Sequence, residues 1–478
     1  MRDEGRMTHD ATRHTPRALR VLGLIVIAYL AIAVQYAART PAWQAPDEPA
    51  HYNYVRYIVE RGALPVLQFG DYNQSYNEQF TNPANTPNLP IDPLRYEFHQ
   101  PPLYYLLAAP IYAVADGDLF AIRLVSVALG GALIVVAFLI VRQVMPDRPE
   151  LALGTAAFVA FVPQHVAMMA GVNNDSLAEL LLALILLQTF RVLKQGEEKE
   201  LRELKELFAL GVLLGLGLLT KTTDYLVASV VLIALLWPLA TRNSQLAIRN
   251  SHIAYRLSPV ENHATRSTHP SSLATRHFIL VLAPALFIGC LWWLRNLGVY
   301  GGLDILGLAR HNAVVVGQPL TADWIARMGL GPFLTGALTT TFHSFWGQFG
   351  WMGVPMPDWV YLGLGALSLV AILGWLSMLR TNHPTIQPSN RLSILLLLLT
   401  LFTFTTYLWY NLTFVQHQGR YLFPALIPLG LVFSIGIDYW ARFLSRPLNV
   451  ATYAGAFAAL AALDMVALYR FVIPSLTP

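Results

Sequence analysis

Two acids and a histidine stand together near the start of a very hydrophobic chain, in Asp47-Glu48-Pro49-Ala50-His51, with Tyr52, Tyr54, Arg56 and Tyr57 behind them. A carboxylate held this way can take a proton from a hydroxyl as a general base. A second acid or an imidazole beside it can hold substrate or metal. Asp47 can cap a helix, and Pro49 is tolerated in a first helical turn. Val55, Ile58 and Val59, with Tyr52 close to them, recur on one side, which is the spacing of an amphipathic surface helix. The acids then lie at its N-terminal end, where the helix dipole favours their charged form. Two capping acids would satisfy that geometry; the functional reading makes Asp47 the general base and gives Glu48 or His51 to substrate or metal.

A second polar group lies in Arg95-Tyr-Glu-Phe-His-Gln-Pro-Pro. Pro101 and Pro102 stiffen the entry to a short apolar stretch, Leu103 to Val114. Glu97 and His99, two residues apart, can bind a divalent cation that His51 or Glu48 would complete across the loop. Alternatively, His99 and Gln100 bond to substrate or contact a phosphate. Residues 70–94 between the two groups are rich in Asn, Pro, Tyr and Gln and lack periodicity, so they read as a loop that either covers a site or acts as a spacer.

The elements that must position these groups are membrane helices. The chain has 478 residues, 55% hydrophobic and 13% charged, against about 25% charged in soluble domains. The single cysteine, Cys290, lies in an apolar run and excludes an intrachain disulfide. Apolar runs of roughly 20 residues recur at 18–38, 119–141, 150–170, 175–194, 206–220, 223–240, 277–297, 359–379, 391–411, 421–440 and 450–470. The fold class is therefore all-α and polytopic, with about eleven transmembrane helices (range 10–13). The first run is long and lacks a small-residue cleavage site, so it reads as a retained span.

Charge sets the orientation. If 103–114 crossed the membrane, every later loop would change sides. If it lies in the interface, then the N-terminal stretch through Arg20 and the loops at 142–149, 191–205, 241–276, 380–391 and 441–449 share one side and hold 21 of the 32 Lys and Arg. The expected organisation is a cytoplasmic tail (1–17), a transmembrane module (18–440) and a C-terminal span with a short external tail (441–478). Residues 39–118 form a large extracytoplasmic loop with interfacial helices, and 298–358 a second external loop. Residues 241–276 hold a near repeat of seven and are otherwise rich in Ser, Thr, His and Pro, and read as a disordered cytoplasmic insertion; His252, His263 and His269 within it read as parts of a solvated linker.

Other polar residues gather at the external span ends. Asn173-Asn174-Asp175 opens a span where N-caps are expected. Lys221 stands between two spans with almost no loop. Arg295-Asn296 follows a Trp pair, and Gln416, His417, Gln418 and Arg420 form a dense knot. Cations outside run against the topology rule, and an anionic lipid head group supplies a reason for them. Arg420 at a span entrance can grip a phosphate bidentately.

Taken in order, PDEPAHYNYVRY (46–57), HQPPLYYLL (99–107), AIRLVSVALGG (121–131), GVNNDSLAELLLAL (171–184), LGLLTKTT (216–223), WWLRN (292–296), SFWGQFGW (344–351) and QGRYLFPAL (418–426) resemble the polyprenyl-phosphate-dependent membrane glycosyltransferases of the C superfamily. The closest likeness is to the bacterial branch akin to protein mannosyltransferases and aminoarabinose transferases. The resemblance implies a large first external loop with surface helices, an acidic catalytic residue at Asp47-Glu48, and a lipid-phosphate-binding basic residue before the second surface helix, often in Lys-Pro-Pro. Here His99-Gln100-Pro101-Pro102 occupies that place, so Lys221, Arg295 and Arg420 become the phosphate contacts, with Asn174 and Asp175 beside them.

The expected activity is inverting transfer of a sugar from a polyprenyl-phosphate-linked donor to a hydroxyl of an external lipid, glycan or protein. Its catalytic residues are Asp47 and Glu48, and His51, Glu97 and His99 are its candidate metal ligands. Partners are the donor, the acceptor and membrane lipids, not nucleic acid. The location is the cell membrane, with the site facing away from the cytoplasm. No Walker-type loop or dinucleotide fingerprint is present. The alternative, a transporter or lipid-linked-sugar flippase, calls for ionisable groups at the midplane and related halves; Asp464 is an isolated candidate, and the halves are not alike.

Overall fold

The computed structural model describes residues 4–80, 89–194, 200–237, 270–380 and 391–477. A long helix, α1 (Glu4–Arg39), is followed by three short ones, α2 (Glu48–Arg61), α3 (Gln74–Gln79) and α4 (Leu103–Val114). Next come α5 (Leu119–Val144), α6 (Pro149–Phe161), α7 (Pro163–Met169), α8 (Asp175–Lys194), α9 (Glu200–Leu218), α10 (Asp224–Trp237) and α11 (Pro270–Tyr300). The second long loop holds α12 (Leu308–Val314), α13 (Thr321–Met328), α14 (Leu330–Trp346) and a small antiparallel hairpin of β1 (Gln348–Phe349) and β2 (Val354–Pro355). The chain ends with α15 (Asp358–Arg380), α16 (Arg391–Asn411), α17 (Leu426–Ala441), α18 (Arg446–Val466) and α19 (Ile473–Leu476).

Among the described residues, eight helical stretches are long and apolar enough to cross a membrane. The other three of the eleven expected spans take different forms. The run at 150–170 is the pair α6 and α7, bent by 65°. Pro163 causes the bend by driving Val162 to an extended conformation (φ −79°, ψ 115°). It also lacks the N–H that Val159 C=O would accept in a straight helix; the Nδ1–H of His165 donates to that carbonyl instead, at 2.7 Å. The run at 206–220 is α9, whose first two turns carry Glu200, Arg202, Glu203, Lys205 and Glu206. Of the run at 223–240, the described part is α10 through Trp237, which at about 1.5 Å per residue is shorter than a hydrocarbon core of roughly 30 Å.

The short apolar stretch is helix α4, with the bounds the sequence suggested. It lies against α2 in an aromatic layer where the rings of Tyr54 and Tyr105 stack at 3.7 Å. The stretch at 70–94 is not wholly irregular: Asn73 caps α3 by accepting from the Tyr76 N–H at 2.9 Å, while residues 81–88 lie outside the described residues. Of the expected linker at 241–276, residues 270–276 are already helical in α11; the rest, with its histidines, lies outside the described residues. The tail likewise enters α1 at Glu4. The last helical stretch runs from Arg446 to Leu476, further than 450–470, because Phe471, Val472 and Ile473 continue the apolar pattern.

The loops sort to two ends. At one end Arg148 joins 142–149 to α17 by donating to Asp438 Oδ2 at 2.7 Å. At the other end Leu103 N–H donates to Leu219 C=O (3.0 Å), Thr321 N–H to Thr413 C=O (3.0 Å) and Val415 N–H to Pro319 C=O (2.9 Å). The latter end gathers every loop that carries a candidate site residue.

Candidate active site

Asp47 occupies the N-cap position of α2 in a left-handed conformation (φ 63°) and makes no cap bond. Its carboxylate has other partners. Oδ1 accepts from the Tyr96 hydroxyl at 2.9 Å, and Oδ2 accepts from Arg420 Nη2 at 2.7 Å. Burial pushes the Asp47 carboxyl up, but the Arg420 guanidinium, His51 and the Tyr96 hydroxyl outweigh it and hold it below the usual carboxylate range. Arg420 is the second residue of a 3₁₀ turn, Gly419–Ala425, that enters α17. The turn is pinned to α14, since Gly419 N–H donates to Ser344 Oγ at 2.7 Å.

Asp47 and Arg420 open on a cavity of about 240 Å³ that also presents Glu97, His311, Gln416 and Gln418. Tyr72, Tyr410 and Trp351 offer their rings to it. One carboxylate oxygen of Glu97 and the Nε–H of Arg420 are buried without a hydrogen-bond partner among the described residues.

Glu48 lies behind this cavity and is fully buried. Its two oxygens accept from Arg123 Nε and Nη2 at 2.7 and 2.6 Å, and from the N–H groups of Val172 and Trp43 at 3.1 and 3.2 Å. Arg123 also donates to the carbonyls of Ala37 and Thr40, both at 2.8 Å, at the end of α1. The pair therefore ties α1, α2, α5 and the approach to α8 together. Asp47 stands just outside α2 in the left-handed conformation while Glu48 opens the helix, and the two side chains part, one to the cavity and one to the core.

The remaining candidates divide. Lys221 Nζ donates to Asp175 Oδ1 at 2.5 Å, and Asp175 lies within electrostatic reach of Arg420. Asn174 Nδ2 donates to Gln100 Oε1 (3.4 Å) and Thr220 C=O (3.3 Å), and its Oδ1 is buried without a hydrogen-bond partner among the described residues. Of the Asn173-Asn174-Asp175 group, Asn173 Oδ1 accepts from Ser176 N–H at 3.3 Å at the start of α8. Arg295 points elsewhere: it stacks 4.6 Å over Trp292 and donates to Pro65 C=O and Asn296 Oδ1.

His51 Nδ1 is bonded to the Tyr105 hydroxyl at 2.8 Å, and burial pushes its pKa down against the pull of Glu97 and Asp47. His99 Nδ1–H donates to Tyr96 C=O at 2.9 Å. Burial, then the nearby His311, push its imidazole down to about 3. Among the described residues no three His, Cys, Asp or Glu side chains are grouped as metal ligands would be, so His51, Glu97 and His99 do not form the expected set.

Several contributors had no individual role assigned from the sequence, although Tyr96, Arg123 and Trp351 fall within the segments quoted there. Arg123 looks like an ordinary span entrance until Glu48 is found against it. Tyr96, Tyr410 and Trp351 resemble interfacial belt aromatics. His311 sits in the second long loop, with its ring 4.3 Å from that of His99.

Residues 99–257 match the family model described as dolichyl-phosphate-mannose-protein mannosyltransferase. No curated protein matches the chain in sequence. Among solved structures, apo ArnT from Cupriavidus metallidurans aligns with a TM-score of 0.50 and 12% identity, over 97% of this chain and 74% of that one. ArnT of the same organism bound to undecaprenyl phosphate aligns at 0.48 and 13%, with the same coverage of 97% and 74%. AglB, the oligosaccharyltransferase of Archaeoglobus fulgidus, in complex with an inhibitory peptide and a dolichol-phosphate, aligns at 0.47 and 15%, over 96% of this chain and 55% of that one. The fold of this chain is similar to that of apo ArnT. The segment matched by the family model spans the HQPP turn, Asn174-Asp175 and Lys221.

Proposed function

We propose that this chain transfers a sugar from a polyprenyl-phosphate-linked donor to an acceptor hydroxyl, at the loop-bearing end of the bundle and outside the cytoplasm. The observation that carries the reading is the pairing of Asp47 with Arg420 at one small polar cavity. A carboxylate for the acceptor proton and a guanidinium for the leaving phosphate are the two groups such a transfer needs. The family match and the fold support the lipid-phosphate donor. The charge count supports the external face, where no nucleotide-sugar pool is needed.

In this mechanism Asp47 accepts the proton of the acceptor hydroxyl. The acceptor oxygen attacks the anomeric carbon from the face opposite the phosphate, and the bond from that carbon to the phosphate oxygen breaks, inverting the centre. The electron pair leaves on the lipid phosphate, where Arg420 and Lys221 offset the growing charge. Glu48 takes no part in proton transfer; it fixes the start of α2 through Arg123. Neutral amides and ring faces in the cavity suit a hydroxyl-rich ring. The reading is tested by incubating purified protein with a defined polyprenyl-phosphate hexose and an acceptor extract and measuring released lipid phosphate; no release with any donor would remove it.

A further inference from the structure

Both cations assigned to the donor phosphate already hold a carboxylate. Arg420 is bonded to Asp47 and Lys221 to Asp175. Arg420 also acts electrostatically on Asp175, and His51 lies in the field of Asp47, Lys221 and Asp175. The charges therefore make two ion pairs within electrostatic reach of one another, Asp47–Arg420 lining the cavity and Asp175–Lys221 behind it. The side chains of all four are largely buried, with relative exposures of 25%, 12%, 29% and 19%. An incoming phosphate meets two cations that are already neutralised, and a guanidinium that retains an unused Nε–H.

We infer that the donor binds by ion-pair exchange: its phosphate takes Arg420 and Lys221 from Asp47 and Asp175, so that Asp47 is released as a base only while a lipid phosphate is in place. The inference rests on the transferase reading of the site. Its physical basis is competition. A carboxylate bonded to a guanidinium is a weak base, and the donor's phosphodiester, with two free oxygens and one negative charge, can turn one oxygen to the arginine fork and the other to the lysine. Once the phosphate's own charge lies beside Arg420, the hold on Asp47 weakens and its affinity for a proton rises. The exchange couples proton abstraction to donor occupancy and leaves the base quiet when the donor is absent. Glu97 is an internal control: it lines the same cavity but is paired with neither cation.

The test is equilibrium binding of a polyprenyl phosphate to the full chain in detergent or nanodiscs, with melting temperatures recorded for each variant. Exchange predicts that Asp47→Asn and Asp175→Asn each bind the lipid phosphate about tenfold tighter than the wild type, because a charge-assisted bond no longer competes. Glu97→Gln should change binding less than about threefold, and Arg420→Gln should weaken it by more than tenfold. Equal tightening by Glu97→Gln would reduce the effect to general repulsion and overturn the exchange. So would unchanged or weaker binding by both aspartate variants in a protein that melts normally. Failure of the wild type, Asp47→Asn and Asp175→Asn alike to bind any polyprenyl phosphate would instead remove the transferase reading.

Discussion

Arg420 and Asp47 are 373 positions apart in the chain and 2.7 Å apart in space. Their contact joins the first long loop to the entrance of the penultimate span. It places a base and an anion-binding fork on one cavity. Arg420→Gln should abolish sugar transfer while Arg420→Lys retains a small fraction, since a lysine keeps the charge but loses the fork. Initial rates of both variants at saturating acceptor check this.

The backbone that aims Arg420 has little slack. A Cβ on Gly419 would lie 2.3 Å from Phe345 N and 2.4 Å from Thr341 C=O, both backbone atoms. Gly419→Ala should therefore push the 3₁₀ turn off α14, lowering the melting temperature and reducing transfer together. Normal melting with full activity would contradict the packing described.

Glu48 and Arg123 make a fully desolvated pair. Removing either partner leaves an uncompensated buried charge, a change that typically costs about 3–5 kcal/mol. Glu48→Ala and Arg123→Ala should each fold poorly or melt much earlier. A Glu48→Leu, Arg123→Met double variant should recover part of that loss. Asp47→Asn should lower the melting temperature far less, since Asp47 is 25% exposed and the amide oxygen can still accept from Arg420. Thermal melts of the four proteins separate a structural acid from a chemical one.

His99 gives a pH signature. Its imidazole is pushed from 6.5 to about 3 in the folded chain, so between those values the unfolded state binds more protons. Stability from this group is fully present above about pH 6.5 and is lost as pH falls toward 3. The melting temperature should drop on moving from pH 7 to pH 5. His99→Gln should drop less, provided it folds, as the Gln amide can still donate to Tyr96 C=O.

Lys221 and Arg295 should separate as donor contacts. Lys221 lies in the charged group at the site, whereas Arg295 is engaged with Trp292 and Pro65. Lys221→Ala should raise the donor KM by about tenfold or more, the loss of one charge-assisted contact. Arg295→Ala should leave KM nearly unchanged and lower the melting temperature instead. Donor titrations of both variants check the pair.

Much of the architecture was legible in the sequence because membrane insertion writes it into one dimension. Apolar length marked the spans, and the Lys and Arg distribution kept Leu103–Val114 out of the span count. The bend at Pro163 was harder to see, because its compensation by His165 depends on a side chain meeting one particular carbonyl. The site was legible as a list but not as an arrangement. Asp47 and Glu48 are neighbours of the same type, and only Arg123, 75 positions from Glu48, separates their roles. Arg295 and Lys221 read alike as external cations, and tertiary packing assigns one to a carbonyl and a Trp ring and the other to a carboxylate.

The most direct measurement is release of lipid phosphate from a defined polyprenyl-phosphate hexose by purified wild type and Asp47→Asn, with acceptor supplied. The account predicts steady release by the wild type and a loss of about a hundred- to ten-thousand-fold in the variant, the usual contribution of a general base, from a protein that still melts cooperatively. Full release by Asp47→Asn would contradict it.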